Sequence, residues 1–292
     1  MHTVFQAASG SHVPATAGAA GQTTRVAVAG ATGYTGQELL RLLARHPAVR
    51  LTAAMSSGAA ATTRPLPALA RIWTGAIEPL APETLAREAD IVFLALPDSA
   101  AAELGPTLVA AGVRVVDLSG AFRLRDAVAR HHWYPETRDV PDDVAYGLTE
   151  LSRDAVRRAR LVANPGCYPT AALLALAPLE EAGLLLPDSD IVVDAKSGVS
   201  GAGKSPSERT HFSECHGSVS AYGVFNHRHG AEIEQVLSRT VTFTPHLVPL
   251  DRRNSRTKAI IVLDELAAKL ENHERARVHC LANTEGSMLC PL

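Results

Sequence analysis

The sequence predicts an α/β protein of two domains, the first a doubly wound parallel sheet and the second α+β, and three observations carry that reading. From Arg25 to about Gly120, short β-branched runs alternate with longer apolar-periodic stretches, as strands alternate with helices in a parallel sheet. Past Ala163 the style changes to one long Ala/Leu-rich run, one strand-like run and a polar stretch containing Gly and His. The length, 292 residues, suits two domains that each bury a core. The boundary is expected near Asn164, giving domains over 25–163 and 164–292.

Residues 1–24 are small and polar with no hydrophobic period, and are expected to form a disordered tail. RVAVAG then reads as a strand, QELLRLLARHP as a helix, VRLTAAM and ADIVFLALP as strands, AAELGPTLVAAG as a helix and VRVVDLSG as a strand. In the second domain YPTAALLALAPLEEAGLL reads as a helix, DIVVDAKSG as a strand and AEIEQVL as helical.

The balance of 28 basic against 30 acidic residues supplies no field that would gather nucleic acid or an anionic membrane, which argues for a small-molecule partner. Apolar runs such as IVFLALP are too short to cross a bilayer and no signal-like segment opens the chain, so a soluble cytoplasmic protein is expected. The cysteines, Cys167, Cys215, Cys280 and Cys290, are widely spaced without a CxxC pair. That leaves reduced thiol chemistry open rather than a disulfide framework or a zinc site.

GATGYTG places Gly30, Gly33 and Gly36 between a strand and an amphipathic helix. Such glycines let the backbone turn and approach a pyrophosphate, while the amides opening the helix point at its charge. This predicts a Rossmann-type dinucleotide site that includes Thr32, Tyr34 and Thr35 of the same loop. At the end of the next strand stand Ser56 and Ser57, where a carboxylate for a ribose hydroxyl would repel a 2′-phosphate. NADP is therefore the expected cofactor. In ANPGCYPTAALLALAP, Cys167 follows a Pro-Gly turn and opens a helix, where the dipole stabilises a thiolate and the amides suit an oxyanion.

GATGYTG, VVDLSGAFRL, AYGLTEL, ANPGCYPTA, SGVSGAGK, NHRHGAEIEQ and FTPHLVPLDR occur in this order. Together they resemble the N-acetyl-gamma-glutamyl-phosphate reductase family of arginine biosynthesis, within an aspartate-semialdehyde dehydrogenase-like superfamily. A similar reductase of carrier-linked lysine synthesis is the neighbouring alternative. The resemblance implies that Cys167 attacks an acyl phosphate, that a thioester forms, and that NADPH reduces it to a semialdehyde. It implies His229 as the proton shuttle, Glu232 one turn on to orient or charge-stabilise the imidazole, and His227 as second choice or substrate ligand. Arg123, Ser197, Gly198, Lys204 and Arg228 are the expected substrate contacts, and a homo-oligomer is expected if the substrate domain is intact. A metal site joining Cys215, His216, His227 and His229 has no familiar ligand spacing, and none is expected.

Two features compete with this reading. GVSGAGKS, Gly198 to Ser205, satisfies the P-loop pattern, but a proline and no apolar period follow it, so the helix that a P-loop requires is not expected. After Arg252 the resemblance stops, and from about residue 253 the chain reads as an aberrant tail in which only DELAAKLENHERARV suggests a helix. A frameshifted or truncated, inactive product is the corresponding alternative, with a substrate-domain sheet short of strands and open at an edge.

Overall fold

The computed structural model describes residues 23–57, 63–137 and 140–250, together with the backbone of three later strands. The expected tail lies outside the described residues up to residue 22, and Thr24 already belongs to the first strand. The helix expected over DELAAKLENHERARV also lies outside them.

The first unit runs β1 (Thr24–Ala29), α1 (Tyr34–Leu43), β2 (Val49–Ser56), β3 (Arg64–Pro65), β4 (Ala76–Pro79), α2 (Pro82–Glu88), β5 (Ile91–Leu94), α3 (Asp98–Ala110), β6 (Arg114–Asp117), α4 (Ala127–Trp133), β7 (Ala145–Tyr146), α5 (Thr149–Arg158) and β8 (Leu161–Ala163). Its sheet has the order β3-β4-β2-β1-β5-β6-β8-β7, parallel except at the β3–β4 pair. The central strands are nearly continuous apolar runs because helices cover both faces of the sheet. Val92, Leu94, Leu104, Leu108, Val115, Phe122 and Leu161 fill one side, and Val28, Leu40, Ala54 and Ile77 the other.

The second unit starts after Asn164. It runs α6 (Cys167–Glu181), β9 (Ile191–Gly198), α7 (Phe212–Cys215), β10 (Ser220–Ala221), α8 (Arg228–Leu237), β11 (Thr242–Val248), β12 (Lys258–Leu263), β13 (Cys280–Asn283) and β14 (Met288–Leu289), with sheet order β10-β11-β9-β12-β13-β14. β9 and β11 are parallel and the other pairs antiparallel. Alternate residues Ile191, Val193 and Ala195 of β9 face the core, where they meet Leu173 and Leu176 of α6 and Ile233 and Leu237 of α8. α6 is apolar around most of its first three turns because it is packed between α8 and this sheet.

No strand was recognised after Arg252 from family motifs, yet three are present, and β12 covers the edge of β9 along its length. The signal was local: KAIIVL holds consecutive β-branched residues, which favour a pleated strand whatever family they resemble.

Because Leu173 is fully buried between α6 and the second sheet, Leu173→Ala is expected to destabilise the protein by about 2–5 kcal/mol. Urea denaturation of the two proteins checks this, and an unchanged midpoint would show that this helix face is not packed.

Candidate active site

The first sheet changes direction at β1, which has β2 on one side and β5 on the other, so the loop after β1 opens into the crevice at their carboxyl ends. Gly30 has φ +90°, and a Cβ on it would lie 2.1 Å from the Ala95 carbonyl oxygen; a Cβ on Gly36 would lie 2.2 Å from that of Gly30. Gly33 caps α1 without a side-chain hydrogen bond, and Tyr34 and Thr35 open its first turn. A helix start thus meets close-lying backbone with no side chain at the glycines, a cradle that fits a pyrophosphate. The hydroxyls of Thr32 and Ser56 are 3.4 Å apart, and Ser57 follows in the exposed turn.

Cys167 is the exposed first residue of α6, with Gly166 as its cap. α8 faces this turn with residues three apart on one side of the helix, a spacing that brings side chains together. His229 is 7% exposed, and a Cβ on Gly166 would lie 2.5 Å from its Nε2, so only glycine leaves room for the ring there. Glu232 is fully buried and its Oε1 accepts from the Gly166 amide at 2.8 Å and from the Tyr146 hydroxyl at 2.8 Å. Its Oε2 lies 3.5 Å from the Arg123 guanidinium. Glu232 therefore holds the cysteine turn rather than the imidazole for which it was expected. Both side chains reach the same turn, and the Nδ1 of His229 is buried without a hydrogen-bond partner.

His227 caps α8 by accepting the His229 backbone amide at Nδ1, 3.1 Å away, and is not itself the group against Gly166. Burial, then the Arg228 charge, lowers its pKa to about 4. Burial also holds His229 well below the usual histidine value, with His227, Arg123 and Arg228 adding to it. Both rings are neutral at pH 7. Tyr168 packs edge-on against both rings, at 6.1 and 5.7 Å, and donates its hydroxyl hydrogen to the His246 carbonyl.

The expected substrate contacts have the following partners within the protein. Arg123 is 7% exposed and donates to the carbonyls of Asn164 and Leu118, both at 2.8 Å, besides facing Glu232. Its fork is engaged by protein groups, because the buried charge needs them. Arg228 pairs with Asp98 of α3 at 3.0 Å. Ser197 is buried at the end of β9 and donates to the Gly198 carbonyl, and Gly198 caps the short 3₁₀ turn Val199–Ala202. Lys204 reaches the Thr32 carbonyl of the dinucleotide loop at 3.5 Å. The P-loop look-alike runs through that 3₁₀ turn to Gly203, not into a helix. Among the described residues no group of three or more His, Cys, Asp or Glu side chains is placed to hold a metal ion.

The sequence reading passed over Tyr146, Asp98 and Asp117. Tyr146 stands inside AYGLTEL and Asp117 inside VVDLSGAFRL, so the motifs held the signal but not the role. Asp117 is fully buried at the end of β6, accepts from the amide and hydroxyl of Ser119 at 3.0 and 2.7 Å, and has its pKa raised by burial to about 6. Asp98 accepts the Gly120 amide at 2.7 Å while it pairs with Arg228.

Comparison with known proteins adds to this geometry. Residues 25–159 match the model of the semialdehyde dehydrogenase NAD binding domain, and residues 167–270 that of the semialdehyde dehydrogenase dimerisation domain. The chain is 48% identical to the N-acetyl-gamma-glutamyl-phosphate reductase of Halorhodospira halophila, over 83% of this chain and 74% of that protein. It is 48% identical to that of Syntrophobacter fumaroxidans and 43% to that of Bacillus cereus, each over 78% of this chain and 69% of the relative. Aspartate semialdehyde dehydrogenase II from Vibrio cholerae has the same fold, with a TM-score of 0.63 at 19% identity over 83% of this chain and 75% of that one. The Candida albicans aspartate semialdehyde dehydrogenase with NADP gives 0.59 at 17%, over 87% and 74%.

Two outcomes are expected of this site. Cys167, at a helix start and exposed, should alkylate before Cys215 near neutral pH, as peptide mapping after limited iodoacetamide treatment reads out. A histidine pKa below its unfolded value means the unfolded chain binds the proton first. The contribution of His227 is thus fully present above about pH 6.5 and is lost as the pH falls toward about 4. Histidine NMR titration should place His227 near pH 4; a midpoint at or above 6.5 would contradict its burial.

Proposed function

This chain belongs to the N-acetyl-gamma-glutamyl-phosphate reductase family, and on that premise we propose that it reduces N-acetyl-gamma-glutamyl phosphate to N-acetyl-glutamate semialdehyde, with NADPH, through a thioester on Cys167. The observation that carries the proposal is the convergence of His229 and Glu232 on Gly166, the residue before the cysteine.

His229 is neutral and takes the thiol proton of Cys167, whose thiolate is stabilised by the start of α6. The sulfur bonds to the acyl carbon, the bond from that carbon to the phosphate oxygen breaks, and phosphate leaves with the electron pair. Opening amides of α6 suit the oxyanion that develops. The loop from Gly30 to Gly36 would hold NADPH, which when bound would supply the hydride that takes the thioester to the aldehyde level. The carbon–sulfur bond then breaks, and the proton held on His229 returns to the sulfur.

The family likeness supports the arginine-pathway acyl group over the lysine-pathway one. The dimerisation-domain match supports a homo-oligomer. Among the described residues no helix is long and apolar enough to cross a membrane, in keeping with a cytoplasmic enzyme.

The test is NADPH oxidation by the full chain with N-acetyl-gamma-glutamyl phosphate. Cys167→Ser should abolish turnover, and His229→Ala should lower it by about two to four orders of magnitude with little change in NADPH affinity. Turnover surviving in Cys167→Ser would overturn the thioester route. NADPH binding with no turnover in the wild-type chain would favour the inactive product, and ATP hydrolysis without reductase chemistry the P-loop reading.

A further inference from the structure

We propose that Lys204, carried by the second domain, reads the 2′-phosphate of the dinucleotide, so that preference for the phosphorylated cofactor is set across the domain boundary. The proposal rests on the reductase reading above. It changes the ligand expected of Lys204 from acyl phosphate to cofactor.

Three placements lead there. The Thr32 hydroxyl meets the Ser56 hydroxyl at 3.4 Å, which marks where the loop after β1 touches the end of β2. In a doubly wound sheet that is where the ribose of the adenosine half lies and where its 2′ position is read. Lys204 comes to this point from the other domain, its Nζ 3.5 Å from the Thr32 carbonyl oxygen. The chain turns sharply just before it, at Gly203 with φ +97°, which leads the loop out of β9 and back over the first domain. Neither Ser56 nor Ser57 is a carboxylate that would exclude a phosphate.

The chemistry of the group matches. A 2′-phosphate presents three acceptor oxygens and between one and two negative charges near pH 7. Two hydroxyls and an ammonium supply donors and a compact positive charge on a flexible stem, which suits phosphate. The carbonyl at 3.5 Å is a weak partner, at the limit of hydrogen-bond distance, so an approaching phosphate displaces little. NADH, with a hydroxyl at that position, offers the ammonium no charge to meet.

The experiment measures binding, not turnover, by titrating the full chain calorimetrically with NADPH, NADH, 2′,5′-ADP and 5′-AMP. Lys204→Met should weaken NADPH and 2′,5′-ADP by about 10- to 100-fold, the range of a hydrogen bond to a charged group. NADH and 5′-AMP should be affected by about twofold or less, and Lys204→Arg should restore most of the loss. Lys204 is exposed, and matching thermal melts of the variants will show that both fold. Equal weakening of NADPH and NADH would assign Lys204 to the pyrophosphate and overturn the proposal, as would no change in either. A wild-type chain that binds neither dinucleotide would overturn the reductase reading itself, and this proposal with it.

Discussion

A carboxylate with none of its side chain exposed stands at the seam of the two domains, and the candidate site is arranged around it. Burying the charge of Glu232 is costly unless its oxygens find donors. Here the donors are the Gly166 amide and the Tyr146 hydroxyl, with the Arg123 guanidinium alongside. Each belongs to a different part of the chain: the cysteine turn, β7, and the loop after β6. Removing the carboxylate would leave a buried cation and a buried amide without it, so the seam and the position of Cys167 stand or fall together.

The rest of the seam follows the same logic. Arg123 passes the constraint on to the Asn164 and Leu118 carbonyls, at the joint between domains and beside Asp117. Gln235 of α8 accepts the Arg125 amide at 2.6 Å and donates to the Arg123 carbonyl at 3.0 Å, so one helix is bonded to the first domain on successive turns. Arg228 to Asp98 adds an ion pair at its start. Directional polar bonds fix a geometry more narrowly than apolar contact, which is what a site assembled from groups on both domains requires.

Burial then sets the proton chemistry. His229 has the ring of Tyr168 on one side and the Gly166 turn on another, and its positive form has no carboxylate to meet because Glu232 is taken by other donors. A neutral ring is the consequence. An imidazole paired with that carboxylate would hold a proton more tightly and would stay charged to higher pH.

The sequence by itself determined β1, α1, β2, β5, α3 and β6 of the first domain, the glycine loop, the cysteine at a helix start and the histidine pair, because each is a local pattern of period, turn residue or motif; the short elements between β2 and β5 and those after β6 were not read from it. It also held the β-branched run at 258–263, which a comparison with family motifs passes over and local propensity does not. Only the tertiary structure decided what Glu232, Arg123 and Lys204 face. Their partners lie 66, 109 and 172 residues away along the chain, at Gly166, Glu232 and Thr32. No local pattern records which amide a buried carboxylate will accept. That is settled when two domains close and every buried polar group must find its partner.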